Sequence, residues 1–176
     1  RDALELRRGL RENQWDHRAP YAPVLVPRHL RLGIRGRTDS DGSEHESLNH
    51  GDIDKALKTF STEGVEAIAV GLFNSFVNED HEAATEAAIR AGWDGRWISR
   101  SAALSPMMGE YERTSTAVVN AYLSPRIVAY LQTLDSELRD LGLERPILLV
   151  QSNGGATSVD QVAPRPVNLL LSGPAA

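Results

Sequence analysis

The chain has 176 residues, of which 41% are hydrophobic, enough to bury one good-sized domain or two small ones. Its formal net charge of −5 opposes non-specific binding to phosphate backbones, which needs clustered Lys and Arg, so nucleic acid is not an expected partner. There is no Cys, which excludes a thiolate nucleophile, a Cys-ligated zinc and a disulfide framework together.

The longest apolar runs, Ala67 to Phe73 and Ile147 to Val150, fall far short of the ~20 residues of a membrane span. No signal-like segment opens the chain, and a soluble cytoplasmic protein is expected. Lys55 and Lys58 are the only lysines, and neither follows a glycine-rich loop, so the Walker phosphate cradle is absent. The chain begins at Arg1 without Met and stops at Ala176 in an apparent loop, as an excised segment would.

Three regions are expected: 1–50, a linker helix and β-hairpin ribbon; 51–109, an α/β half; and 110–176, a long-helix segment with the start of another lobe. Arg1 to Tyr21 is charged and weakly periodic, a short helix leading into a linker. From Val24 to Leu48 the pattern is extended, with Asp39-Ser40-Asp41-Gly42 supplying hairpin turn chemistry. Gly51 to Gly64 reads as a helix with Asp52 as N-cap, Ile53, Ala56, Leu57 and Phe60 on one face, and Gly64 as its stop.

Val65 to Phe73 reads as a strand buried on both faces. A helix follows Asn78, with Glu79, Asp80 and Glu82 placing negative charge at the favourable end of its dipole, and ends at Gly92. Arg96 to Ser99 is a short strand, Ser101 to Gly109 a loop, and Glu110 to Leu123 a helix interrupted at Ser124-Pro125. Ile127, Leu131, Leu134, Leu138 and Leu141 then mark a long amphipathic helix stopped by Gly142. Pro146 to Val150 reads as a buried strand, Ser158 to Val162 as a short helix and Val167 to Leu171 as a last strand. This order of elements gives an α/β fold.

His45-Glu46-Ser47-Leu48-Asn49 starts like a zinc-protease motif, but Asn49 replaces the second imidazole and His50 is one residue too far, so a polar loop explains it. Asp39-x-Asp41-Gly42 is an incomplete calcium loop that a hairpin turn explains. The five His, at 17, 29, 45, 50 and 81, all precede the glycine-rich loops and support no Ser-His-Asp triad. Gln151-Ser152-Asn153-Gly154-Gly155 follows a predicted strand, where α/β sheets place ligands and where glycines let backbone N–H groups approach an anion. A plain strand-to-helix turn explains it equally well. Ser172-Gly173-Pro174 holds the equivalent place after the last strand, and parallel neighbours would bring both loops to one sheet edge. Glu110-Tyr111-Glu112-Arg113-Thr114-Ser115-Thr116, by spacing alone, is a solvated first turn of a helix.

Several of these stretches, in order, resemble the hydantoinase A / 5-oxoprolinase family. They are Leu25-Val26-Pro27-Arg28, Ala67 to Phe76 running on to Asn78-x-x-His81-Glu82, Glu110 to Thr116, Val119-Asn120-Ala121-Tyr122, Gln151 to Gly155 and Leu170 to Ala175. The resemblance covers nearly the whole chain. It implies a ribonuclease-H-like lobe of the actin/hsp70/sugar-kinase kind, present in part, in a bacterial enzyme that uses ATP and Mg to open five-membered cyclic amides such as hydantoin or 5-oxoproline. Phosphoryl transfer would activate the amide oxygen. A hydantoinase B-type partner subunit is implied as well.

The glycine-rich phosphate loops of that family do not occur in this sequence, so the chain by itself is expected to be inactive. The resemblance implies that Glu112, Arg113, Ser115, Thr116, Ser152, Asn153, Gly154, Gly155, Ser172 and Gly173 line the cleft of the complete protein. It assigns no individual catalytic role. A ketone carboxylase subunit and a non-catalytic α/β binding module are the alternative readings.

Overall fold

A computed structural model describes residues 2–6, 13, 15–21, 23 and 25–175. By its internal contacts the chain divides into Arg1–Val118 and Val119–Ala176, and each unit is taken by itself. Most of the helix expected near the start lies outside the described residues; within them a single 3-10 turn covers Ala3–Glu5.

The first unit begins its regular structure with a hairpin, β1 (Arg37–Thr38) antiparallel to β2 (Glu44–Glu46). Its turn is closed by the Gly42 N–H donating to Asp39 O at 3.0 Å and the Asp39 N–H to Ser43 O at 2.9 Å. Residues 44–46 are all exposed, as a surface ribbon requires. Helix α1 (His50–Thr62) is capped by Asn49, whose Oδ1 accepts the Asp52 N–H at 3.1 Å. The cap is therefore Asn49 and not Asp52; the Asn49 amide oxygen, three residues upstream, reaches the free N–H of Asp52, and the Asp52 carboxylate turns to Arg35 instead. Gly64, at φ +65°, ends the helix as expected.

Asp52 receives two charge-assisted bonds from the Arg35 guanidinium, at 2.7 and 3.0 Å, and a third from the Arg35 N–H. These hold its carboxyl down at about 2. A depressed carboxyl stabilises the fold above its ordinary range and loses that contribution as pH falls through the folded value. Asp52→Asn is thus expected to lower the melting temperature at pH 6, with the gap to the native chain closing between about pH 4 and pH 2. A gap unchanged over that range would refute the tie.

Strand β3 (Ala67–Val70) runs parallel to β4 (Trp97–Arg100), joined through α2 (Asp80–Gly92), a βαβ unit. The strand is shorter than its apolar run because Gly71 to Phe73 leave the ladder, and Phe73 is 53% exposed. Ile53 and Leu57 of α1, Ile68 and Val70 of β3 and Ile89 of α2 form one core, so the apolar periodicities of three elements meet. Between β4 and the next helix, the expected loop contains one helical turn, α3 (Ser101–Leu104).

Helix α4 (Glu110–Asp140) is continuous through Pro125, where an interruption was expected. Proline removes the N–H that would serve the carbonyl four residues back. The neighbouring Ser124 hydroxyl donates to Asn120 O at 2.7 Å, and a stripe of buried Ala117, Ala121, Val128 and Leu131 crosses the break. The stripe fades toward the helix end: Leu134 and Leu138 are half-buried and Leu141 is 84% exposed.

In the second unit β5 (Leu148–Val150) pairs antiparallel with β6 (Ala156–Ser158), a strand absent from the sequence reading, followed by α5 (Val159–Val162). Leu131, Val159 and Val162 form its core. β5 is not the buried strand expected, since Leu148 is 66% exposed and only Leu149 turns inward. The predicted strand Val167 to Leu171 is a 3-10 turn over Pro166–Leu169, ending in the short helix α6 (Ser172–Ala175). Pro166 opens the turn just before that stretch, at a position where its missing N–H costs nothing, and the carbonyls of Asn168 and Leu170 accept from Ser152. Among the described residues each sheet has two strands. Among the described residues no helix is long and apolar enough to cross a membrane.

Candidate functional site

At the carboxyl ends of β3 and β4 the first unit encloses a network of charged and hydroxyl side chains. Its base is Glu82, in the first turn of α2 and wholly buried. The sequence reading gave it a dipole role only. In the fold its Oε1 accepts from the Leu72 N–H at 2.9 Å, the Ser75 hydroxyl at 2.8 Å and the Ser101 hydroxyl at 2.5 Å; its Oε2 accepts the Ala102 N–H at 2.9 Å. A carboxylate taken out of water survives only with such a full set of donors.

Arg113 completes the network from α4. It is 1% exposed, which overturns the reading of Glu110 to Thr116 as a solvated turn. Its Nε donates to Ser101 Oγ at 3.0 Å and one Nη to Leu72 O at 2.8 Å; the same Nη is paired with Glu110 Oε2. Ser101 thus accepts from a guanidinium and donates to a carboxylate, linking Arg113 to Glu82 through one hydroxyl. The guanidinium also lies over the Phe76 ring, 5.5 Å from its centre. Gly71 lets α4 approach β3 closely: a Cβ there would sit 3.0 Å from Thr114 Oγ1.

Asn74 joins this network to the hairpin. It has a left-handed backbone, φ 58°, a conformation Asn tolerates better than most residues. Its N–H donates to Glu110 Oε1 at 3.2 Å and its amide to Thr38 O at 2.9 Å. Close by, His81 Nε2 lies 2.7 Å from Glu44 Oε2, tying α2 to β2. The Ser47 hydroxyl first and His81 second hold the Glu44 carboxyl below its ordinary range. His45 of the incomplete zinc motif lies 3.3 Å from Asp39 within the hairpin.

Of the other residues expected at a cleft in this unit, Glu112, Ser115 and Thr116 are half-buried. The Thr116 hydroxyl donates back to Glu112 O at 2.8 Å, so it serves its own helix. Arg113 is the fully buried one of the four and joins the network directly.

The loop Gln151 to Gly155 belongs to the second unit. Ser152, Asn153, Gly154 and Gly155 are exposed, Ser172 is half-buried and Gly173 exposed. The Ser152 N–H donates to Asn168 O at 2.7 Å, and its hydroxyl reaches the carbonyls of Asn168 and Leu170. The loop therefore touches the segment before Ser172, though not through the parallel strand pair that was expected. Its N–H groups are largely consumed: Gln151 donates to Gly155 O, Gly154 to Gln151 O, and Gly155 to Asn153 Oδ1 at 2.9 Å. A nest for phosphate needs such groups free and convergent. Among the described residues no cluster of acidic or imidazole side chains could hold a metal either. Among the described residues, neither this loop nor any such cluster is arranged to hold a nucleotide with its metal.

This βαβ unit with a buried ion network, followed by a long helix, defines a mixed α/β segment. The chain belongs to the hydantoinase/oxoprolinase family: residues 1–92 match the Hydantoinase/oxoprolinase N-terminal region and residues 113–176 match Hydantoinase/oxoprolinase. It is 40% identical over 176 residues to the caprolactamase subunit alpha of Pseudomonas jessenii, covering 99% of this chain and 25% of that one. It is 35% identical over 169 residues to 5-oxoprolinase 1 of Arabidopsis thaliana, covering 88% of this chain and 13% of that one. The acetophenone carboxylase gamma subunit of Aromatoleum aromaticum is 33% identical over 140 residues, or 77% of this chain and 19% of that one.

The crystal structure of the ATP-dependent caprolactamase of Pseudomonas jessenii superposes with a TM-score of 0.89, over 99% of this chain and 26% of that chain. A nucleotide-free acetone carboxylase, 24% identical, shares the fold with a TM-score of 0.76 over 89% of this chain and 22% of that one. The chain thus spans about a quarter, or less, of the length of these relatives.

Proposed function

We propose that this chain acts as one segment of a longer ATP-dependent enzyme that opens a cyclic amide of the hydantoin or 5-oxoproline type through a phosphorylated intermediate. What carries this reading is the 40% identity to a caprolactamase subunit along essentially the whole chain. Two further relatives are named 5-oxoprolinase and a ketone carboxylase subunit, and carboxylation of a ketone is the second reading.

The proposal includes a ribonuclease-H-like lobe, a cytoplasmic location, Mg with the ATP, and a second subunit of the hydantoinase B type. Glu112, Arg113, Ser115, Thr116, Ser152, Asn153, Gly154, Gly155, Ser172 and Gly173 are proposed to line the cleft of the assembled enzyme. Nucleotide contacts then come from other parts of the polypeptide.

This 176-residue chain alone is accordingly expected to give no heat of binding with Mg-ATP. A dissociation constant in the low micromolar range, about −7 to −8 kcal/mol, would contradict that expectation. The substrate class is tested by offering the full-length protein, with ATP, a panel of hydantoin, 5-oxoproline, caprolactam and a ketone with bicarbonate. Turnover of a cyclic amide supports the leading reading. Carboxylation of the ketone without hydrolysis of any amide would replace it with the second.

A further inference from the structure

We infer that the Arg113 guanidinium and the Asn74 N–H form a small oxoanion site, closed in this structure by the carboxylate of Glu110. One Glu110 oxygen meets Arg113 and the other accepts from Asn74 at 3.2 Å, so a single carboxylate spans both donors. The donors do not depend on Glu110 for their position. Arg113 is held by Ser101 Oγ at 3.0 Å, Leu72 O at 2.8 Å and Met107 O at 3.4 Å, and it is 1% exposed. The Asn74 N–H is aimed by a left-handed backbone, which its amide fixes through Thr38 O. Glu110, by contrast, stands at the rim with 24% of its side chain exposed.

A preformed pair of charged and main-chain donors, filled from the solvent side by a tethered carboxylate, binds an oxoanion that takes that carboxylate's place. The position is also the carboxyl end of two parallel strands, where open α/β sheets take their ligands. Phe73, next to Asn74, and Met107, whose carbonyl meets Arg113, are 53% and 62% exposed, which gives the rim an apolar character. The chemistry fits a carboxylate or phosphate group carried on a small organic body. The inference is independent of the activity proposed for the longer enzyme, because it is tested on this chain alone.

The test is chemical rescue of Glu110→Ala and Glu110→Gln with acetate and with inorganic phosphate, against chloride at equal ionic strength. The readouts are melting temperature and the amide resonances of Asn74 and Arg113 Nε–H. In both variants at least one oxoanion is expected to shift these resonances saturably and raise the melting temperature. The native chain should need at least about tenfold more, because its tethered carboxylate competes at high effective concentration. Whether acetate or phosphate acts at lower concentration distinguishes a carboxylate ligand from a phosphorylated one. If Glu110→Ala does not fold, its refolding in acetate or phosphate but not chloride supports the site. Absence of a saturable response in Glu110→Gln, or an equal response in the native chain, overturns it.

Discussion

Glu82→Ala is expected to destabilise the first unit by about 3 to 5 kcal/mol, the cost of breaking a buried ion network from one side. The substitution strands the N–H groups of Leu72 and Ala102 and the hydroxyl proton of Ser101, while the Ser75 hydroxyl keeps Leu72 O as an acceptor, and it leaves Arg113 without the charge it reaches through Ser101. Each unsatisfied buried group costs about 1 to 3 kcal/mol, and a whole domain is stable by only about 5 to 15 kcal/mol. Urea unfolding, read as a fall in midpoint at unchanged slope, measures it. Asp80→Ala, two residues away in the same turn but exposed, should stay within about 0.5 kcal/mol. Equal midpoints for the two variants would show that the network does not hold the unit together.

Arg113→Leu should be of similar size, about 3 to 5 kcal/mol, since it takes the buried cationic donor away from Ser101 Oγ, Leu72 O and the Glu110 carboxylate together. The two substitutions share one hydroxyl bridge, so their costs will not add. The double variant should be more stable than the sum predicts by at least about 1 kcal/mol. Additive costs would mean that Glu82 and Arg113 do not communicate through Ser101.

Elements built on local pattern were legible in the sequence: α1 with its stop at Gly64, α2 to Gly92, the hairpin turn at Asp39 to Gly42, and the β3 and β4 strands. Glu82 was not. In the first turn of a helix its charge satisfies the dipole rule, and nothing local distinguishes it from exposed Asp80; its partners lie ten and nineteen residues away, in segments it meets only after folding. The one signal was the burial face itself, since His81, Thr85 and Ile89 step by four along α2 beside it.

Arg113 was singled out by family resemblance while its spacing argued for solvent. Continuity of α4 was illegible for the opposite reason. Pro125 gives a strong local stop, and the apolar stripe on both sides of it outweighs the lost hydrogen bond. After Val150 the sequence shows another short apolar run, but Pro166 at the opening of the turn and the Ser152 contacts make it a 3-10 segment where a strand was expected. That difference removes the parallel pair on which a shared loop edge depended, while Ser152 still joins the two stretches.

The most direct measurement is the yield of ADP per ring opened when the full-length enzyme containing this chain is given a cyclic amide. ADP is expected to form in step with opened ring, with no opening when ATP is left out. Ring opening at the same rate without nucleotide would contradict that expectation.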